Sequence, residues 1–184
     1  IDRNGVVSYI SVPVRLNDGR WRDSIREIEI NSNHPWQKKY LGKIKGCYAG
    51  FPFFKILYPK LEEIINDAPK TIFELNMTVI NLFRSLLDIS TPISFASEFI
   101  SSFSASDLNL DLCKHNDATV YLSGPSGKGY LDESKFLKEN ISINYHQFKP
   151  PKYEMEIFAP GLSTLDLVMR LGPKAAEVIH SGGG

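Results

Sequence analysis

The chain has 184 residues, with 21 Lys and Arg against 21 Asp and Glu, and is 42% hydrophobic and 11% aromatic. That is enough chain to bury about 70% of its unfolded surface on folding, and the mixture is ordinary for a globular protein. A formal charge of zero argues against duplex nucleic acid as a partner, because a duplex binder needs a net basic face to displace counterions. No stretch of 18 apolar residues is present, so no membrane span is expected. Cys47 and Cys113 have neither metal-ligand nor redox spacing, and the histidines are scattered. The expectation is therefore no metal, no cofactor and a reducing, cytoplasmic setting.

In chain order, "GVVSYISVPV" (5–14) is rich in β-branched residues and ends near Pro13, as an edge strand would. "NDGRWRD" (17–23) is a turn by composition. "SIREIEI" (24–30) alternates apolar and charged residues, which predicts a half-solvated strand paired antiparallel with the first. A helix follows over "HPWQKKYLGKIKGCYAG", then one over "FFKILYPKLEEIIND", bent or broken at Pro59. The clearest helix is "TIFELNMTVINLFRSLLDI". Leu75, Val79, Leu82, Phe83 and Leu86 form its stripe, and Thr71 with Glu74 makes a capping box.

From residue 93 the rhythm shortens. "ISFAS" reads as a strand and "SASDLNLDLCKHN" as a helix capped by Ser104 or Ser106. "ATVYLSG" reads as a strand, "DESKFLKENI" as a helix and "SINYHQF" as a strand. "STLDLVMRLG" is a helix capped by Ser163 or Thr164 and closed by Gly172. Strands alternating with helices predict an α/β, three-layer domain over residues 1–175. It would hold a mostly parallel sheet with flanking helices and an antiparallel hairpin at one side. A flexible tail is expected over 176–184.

"LSGPSGKGYLD" (122–132) is the stretch most suggestive of chemistry. A Walker A loop requires G-x-x-x-x-G-K-[ST]. Gly124 and Gly129 have that spacing, but Tyr130 and Leu131 stand where Lys and the hydroxyl belong. The Rossmann pattern fails too, at Ser126. Even so, the loop lies between an apolar strand and a helix, where ligands of parallel sheets bind. Ser123 and Ser126, the N–H groups of Gly124 and Gly127, and Lys128 could hold an anion. The competing reading is a tight connection that needs positive φ at its glycines.

The motifs together resemble the WbqC-like family of bacterial proteins. The resemblance is carried by "SYISVPV" (8–14), Trp36 through "FPFF" (51–54), "YLSGPSGKGYLD" (121–132) and "FAPGLSTLDLVMRLG" (158–172). The family's usual opening segment, roughly 45 residues or about one βα unit with its return, has no counterpart here. Family genes often sit among polysaccharide, O-antigen and lipopolysaccharide biosynthesis genes. The resemblance thus implies a cytoplasmic transferase acting on a sugar nucleotide or related activated small molecule. The alternative is a non-catalytic binding or scaffold module in a biosynthetic complex.

Ligand-binding candidates are Ser123, Gly124, Ser126, Gly127, Lys128, Tyr130, Ser97 and Ser163; His146 and Asp166 are candidates for catalysis. Each has a plainer reading. Ser163 and Asp166 fit a helix capping box, Ser97 fits an N-cap, and His115 suits a helix C-terminus. Trp36, Tyr40 and Tyr48 suit a core better than a sugar-stacking platform. Lys38, Lys39, Lys43 and Lys45 suit a solvated helix face.

Overall fold

The computed structural model describes residues 6–16, 24–99, 104–147, 149, 151, 153, 159 and 161–181. The turn expected at 17–23 and the end of the tail lie outside them. The protein is a mixed helix-and-strand structure in two compact units. Unit 1 comprises Ile1–Ser90 with Pro150–Gly182, and unit 2 comprises Thr91–Lys149 with the last two residues.

Unit 1 is built on helices α1 (Trp36–Tyr48), α2 (Phe54–Asn66), α3 (Ile72–Leu86), α6 (Thr164–Leu171) and α7 (Lys174–Ser181). The capping box that starts α3 forms as predicted: Thr71 Oγ1 accepts from the Glu74 N–H at 3.1 Å, and Glu74 Oε2 accepts from the Thr71 N–H at 3.2 Å. Pro59 lies inside α2 and the helix continues through it. Leu75 is buried, while Val79, Leu82 and Leu86 pack half-buried against the core. Gly172 closes α6 with φ 55°, and a side chain there would also strike the Phe53 ring. Lys174–Ser181, where the flexible tail was expected to begin, is helix α7.

The core of unit 1 joins Ile44, Leu57 and Leu61 to Leu167, Val168, Met169 and Ala175. A second cluster of Ile30, Trp36, Leu41, Ile65 and Leu75 lies beneath the extended segments. Those segments do not make the predicted antiparallel hairpin. Val14 and Ile30 meet in one antiparallel bridge, and Glu29 and Thr71 in another. Residues 28–30 thus run between two neighbours instead of extending one ladder. Ile28 and Ile30 are buried as the alternation required, while Ile25 is 64% exposed.

Unit 2 holds α4 (Ala105–His115), β1 (Val120–Ser123), α5 (Glu133–Lys138) and β2 (Ser142–Tyr145). β1 and β2 pair in parallel, with Val120 opposite Ser142 and Ser123 opposite Tyr145. The crossover between them is a turn of 3₁₀ helix at Pro125–Gly129 followed by α5. Phe136, Cys113 and Ile141 are buried beneath it, with Tyr121 stacked on Phe136 at 5.5 Å. The three-layer, mostly parallel sheet is therefore corrected to a two-stranded one among the described residues. The predicted strand at 93–97 is the reason: Ala96–Glu98 form a 3₁₀ turn, and Glu98 Oε2 accepts from the Phe95 N–H at 3.4 Å. A side chain that satisfies a nearby backbone donor offers that segment an alternative to the ladder.

Candidate functional site at the ends of the parallel strands

Parallel pairing puts the carboxyl ends of β1 and β2 on one edge. It therefore brings together two groups of candidate residues that lie some twenty positions apart in sequence. The Ser123–Tyr130 loop leaves β1 there, and His146 leaves β2. The His146 N–H donates to the Ser123 carbonyl at 2.8 Å and ties the two exits to each other. Gly124, Ser126, Lys128, Gly129, Tyr130 and His146 are exposed. Ser123 is buried, with its hydroxyl donating to the Gly124 carbonyl at 3.1 Å.

The same edge carries the starts of α4 and α5. Asp132 caps α5 through the Ser134 N–H, its own N–H donates to Ser106 Oγ at 2.9 Å, and Lys135 pairs with Asp107 at 2.7 Å. The Ser134 hydroxyl, with the Ser134 and Lys135 N–H groups, holds Asp132 below the usual carboxylate range. Asp107 holds Lys135 above the ordinary lysine value. Glu133 accepts from the Tyr145 hydroxyl at 2.7 Å, which pushes that phenol up. Lys128 Nζ stands 5.1 Å from the centre of the Tyr145 ring, a cation–π contact that steers the ammonium along the edge. Burial and then the neighbouring Tyr130 raise the Tyr121 phenol.

The glycines of the loop differ in what they do. None has positive φ, so the tight connection is made without the left-handed backbone expected of it. Gly127 is buried, and a Cβ there would collide with the Ser123 hydroxyl and come within 2.9 Å of a Leu131 methyl. Gly124 and Gly129 face open space. Gly127→Ala is therefore expected to lower stability by about 1–3 kcal/mol, while Gly124→Ala changes it by about 0.5 kcal/mol or less. Denaturant midpoints of the two variants check this, and equal midpoints would remove the steric explanation.

The other candidates lie elsewhere. Ser97 sits exposed in the 3₁₀ turn instead of at a strand end. Two residues on, the Phe99 ring packs 5.1 Å from His115, at the far end of α4 from Ser106. His115 is held by its own helix, with Nδ1 2.9 Å from the Asp111 carbonyl. Ser163 and Asp166 belong to unit 1. Ser163 caps α6 through the Leu165 N–H, but Asp166 does not complete a capping box.

Asp166 is instead fully buried. Its Oδ2 accepts from Arg170 Nε at 2.8 Å and from the Tyr153 hydroxyl at 2.8 Å. The Tyr48 hydroxyl also lies close enough to feel the same carboxylate. Arg170 lies over the Phe51 ring at 4.3 Å. Burial, reinforced by Asp166, pushes the Tyr48 and Tyr153 phenols far above their ordinary value of 10.0. Sequence reading missed this cluster; the one available signal was Asp166 and Arg170 at i, i+4 on α6.

What fold and site define is a protein with a helical unit and a small βαβ unit, the latter carrying a glycine–serine loop at the carboxyl edge of its parallel strands. The chain belongs to the WbqC-like protein family, whose profile matches residues 1–178. It is similar to a curated protein of Mycobacterium tuberculosis (strain ATCC 25618 / H37Rv), "Uncharacterized protein Rv1507c". The two are 28% identical over 178 residues, which cover 95% of this chain and 76% of the relative. No solved structure matches. Among the described residues, no helix is long and apolar enough to cross a membrane, and no group of three or more His, Cys, Asp or Glu is placed to hold a metal ion.

Proposed function

We propose that this protein is a transferase of polysaccharide assembly acting on a sugar nucleotide or a related activated small molecule. The Ser123–Tyr130 loop holds the phosphate, and His146 serves as acid or base. The observation that carries the reading is the convergence of the loop, Lys128 and His146 on the carboxyl edge of β1 and β2. There Ser126 and Lys128 supply a hydroxyl and a charge to an incoming anion, and the glycines let backbone approach it. The imidazole of His146 is able both to accept and to donate a proton at this edge. Asp166, held by Arg170 and Tyr153, fits a structural role better.

The test is a titration with nucleotide sugars followed by NMR. Saturable shifts of Ser126, Lys128 and His146 are expected. Lys128→Ala is expected to weaken binding about five- to tenfold at low salt, the scale of one lost charged contact. The difference should shrink at high salt, where screening already mutes the charge. Unchanged affinity in Lys128→Ala would sink the assignment of the loop.

A second reading, a non-catalytic partner-binding module, is favoured by Val120 at 48% and Leu122 at 64% exposure on one face of the sheet. It predicts that Leu122→Asn abolishes a stable complex while nucleotide-sugar titrations remain silent.

A further inference from the structure

Unit 1 contains a groove of about 540 Å³ between the extended stretch at residues 9–13 and the first half of α1. Its described lining includes His34, Lys39 and Lys43 and no carboxylate. Lys39 and Lys43 are four residues apart on α1, so both reach the same side of the helix. Lys43 Nζ donates to the Tyr9 carbonyl at 2.7 Å, which fastens the extended stretch across the groove without neutralising the ammonium.

Two further features point the same way. α1 begins with no side-chain cap and no acidic residue in its first turn. Although the Trp36 N–H bonds the His34 carbonyl, no side chain among the described residues offsets the positive end of its dipole. Trp36, at its first position, lines the groove and is 6% exposed, and its indole Nε1–H has no acceptor among the described residues. That nitrogen is itself buried, so it lends the groove no donor, and Trp36 serves the site as an apolar wall. A cation would be repelled here, and an uncharged ligand would leave two lysine ammonium groups and a helix start without a counter-charge. An anion meets all of them. The volume falls in the range of roughly 300–1,000 Å³ usual for sites that enclose small organic ligands.

We propose that this groove is a second ligand site, taking a phosphate ester of nucleotide size. The phosphate lies at the start of α1 against Lys39 and Lys43, and the organic part lies against Trp36 and Tyr9. The proposal does not depend on the loop of unit 2, because it uses none of its residues. Lys39 and Lys43 are exposed, so Lys39→Gln/Lys43→Gln removes no core side chain, and Lys39→Gln alone, which keeps the Lys43–Tyr9 bond, should weaken binding in the same direction.

The experiment titrates the whole chain with uridine diphosphate at low salt, with uridine as the uncharged control, on the parent, the Lys39→Gln/Lys43→Gln variant and Lys128→Ala. The result expected is saturable binding with chemical-shift changes at Trp36 and α1. That binding should weaken tenfold or more in the double variant, about two lost ionic contacts, and stay unchanged at this site in Lys128→Ala. Its salt dependence should flatten in the double variant. Three results would overturn the proposal: no saturable binding, binding untouched by the double variant, or uridine binding as tightly as the diphosphate. Binding lost only in Lys128→Ala would assign the anion to the loop alone and overturn it as well.

Discussion

Asp166→Ala is expected to destabilise unit 1 by about 3–5 kcal/mol, the cost of removing one partner from a buried ion pair. The carboxylate is fully buried, and the Arg170 side chain is only 16% exposed, so solvent does little to replace the lost partner. Two hydroxyls, those of Tyr153 and Tyr48, lose their anion in the same step. Asp166→Asn keeps an oxygen for Tyr153 and should fall between the parent and alanine. The double change Asp166→Leu/Arg170→Met should recover part of the loss, because an apolar pair of similar volume carries no desolvation cost. Urea unfolding of the four proteins decides the matter. A loss below about 1 kcal/mol for Asp166→Ala would mean that the pair is open to water in solution.

The same cluster sets a response to alkaline pH. Both phenols titrate above 10.0 in the folded chain, and near 10.0 once it unfolds. The unfolded chain therefore gives up its protons first. The stabilisation is complete below about pH 10 and is lost as pH climbs through the folded values. The unfolding midpoint should hold level between pH 8 and about pH 9.5 as far as these groups are concerned, then fall. Tyr153→Phe should make that fall shallower; an identical profile would place the titration elsewhere.

Local signals in this sequence were legible where one segment settles its own structure. The Thr71–Glu74 box, the Ser163 cap and Gly172 stop of α6, and the strand–helix–strand rhythm of 119–146 depend on neighbours in sequence. The loop's location followed from that rhythm, and the parallel register then supplied His146 as its neighbour. What failed depended on distant partners. The stretch 93–97 has a strand's composition, but Glu98 satisfies its backbone locally. The stretches at 5–14 and 24–30 read as a hairpin from the β-branched content of the first, the alternation of the second and the turn between them. They share the antiparallel Val14–Ile30 bridge, but residues 28–30 also bond Lys70 and Ile72. Asp166 matched the spacing of a capping box equally well, and only Tyr153, arriving from another segment, shows that its carboxylate turns inward. The groove beside α1 was hidden for a related reason: a lysine-rich helix face looks solvated until another segment crosses it.

Phe136→Ala is expected to have the largest effect on unit 2, a loss of about 3–5 kcal/mol. Phe136 has no exposed surface, and Cys113 and Ile141 are the two other buried hydrophobics of its cluster. Truncation would leave a cavity under a sheet of only two strands, where few neighbours can close it. Two paired strands depend on such packing, since a pair alone is marginal in water. Hydrogen exchange is the informative measurement because it resolves the units separately. The amides of Ser142 and His146, bonded to Thr119 and Ser123, should lose most of their protection. Those of α2, over Leu57 and Leu61, should keep theirs. Leu137, the next residue, is 74% exposed, and Leu137→Ala should stay within about 0.5 kcal/mol of the parent. Because the Ser123–His146 link belongs to the same sheet, Phe136→Ala should also abolish nucleotide-sugar shifts at the loop, whereas Asp166→Ala, acting in unit 1, should lower stability first. Equal loss of protection in both units would show that they unfold as one.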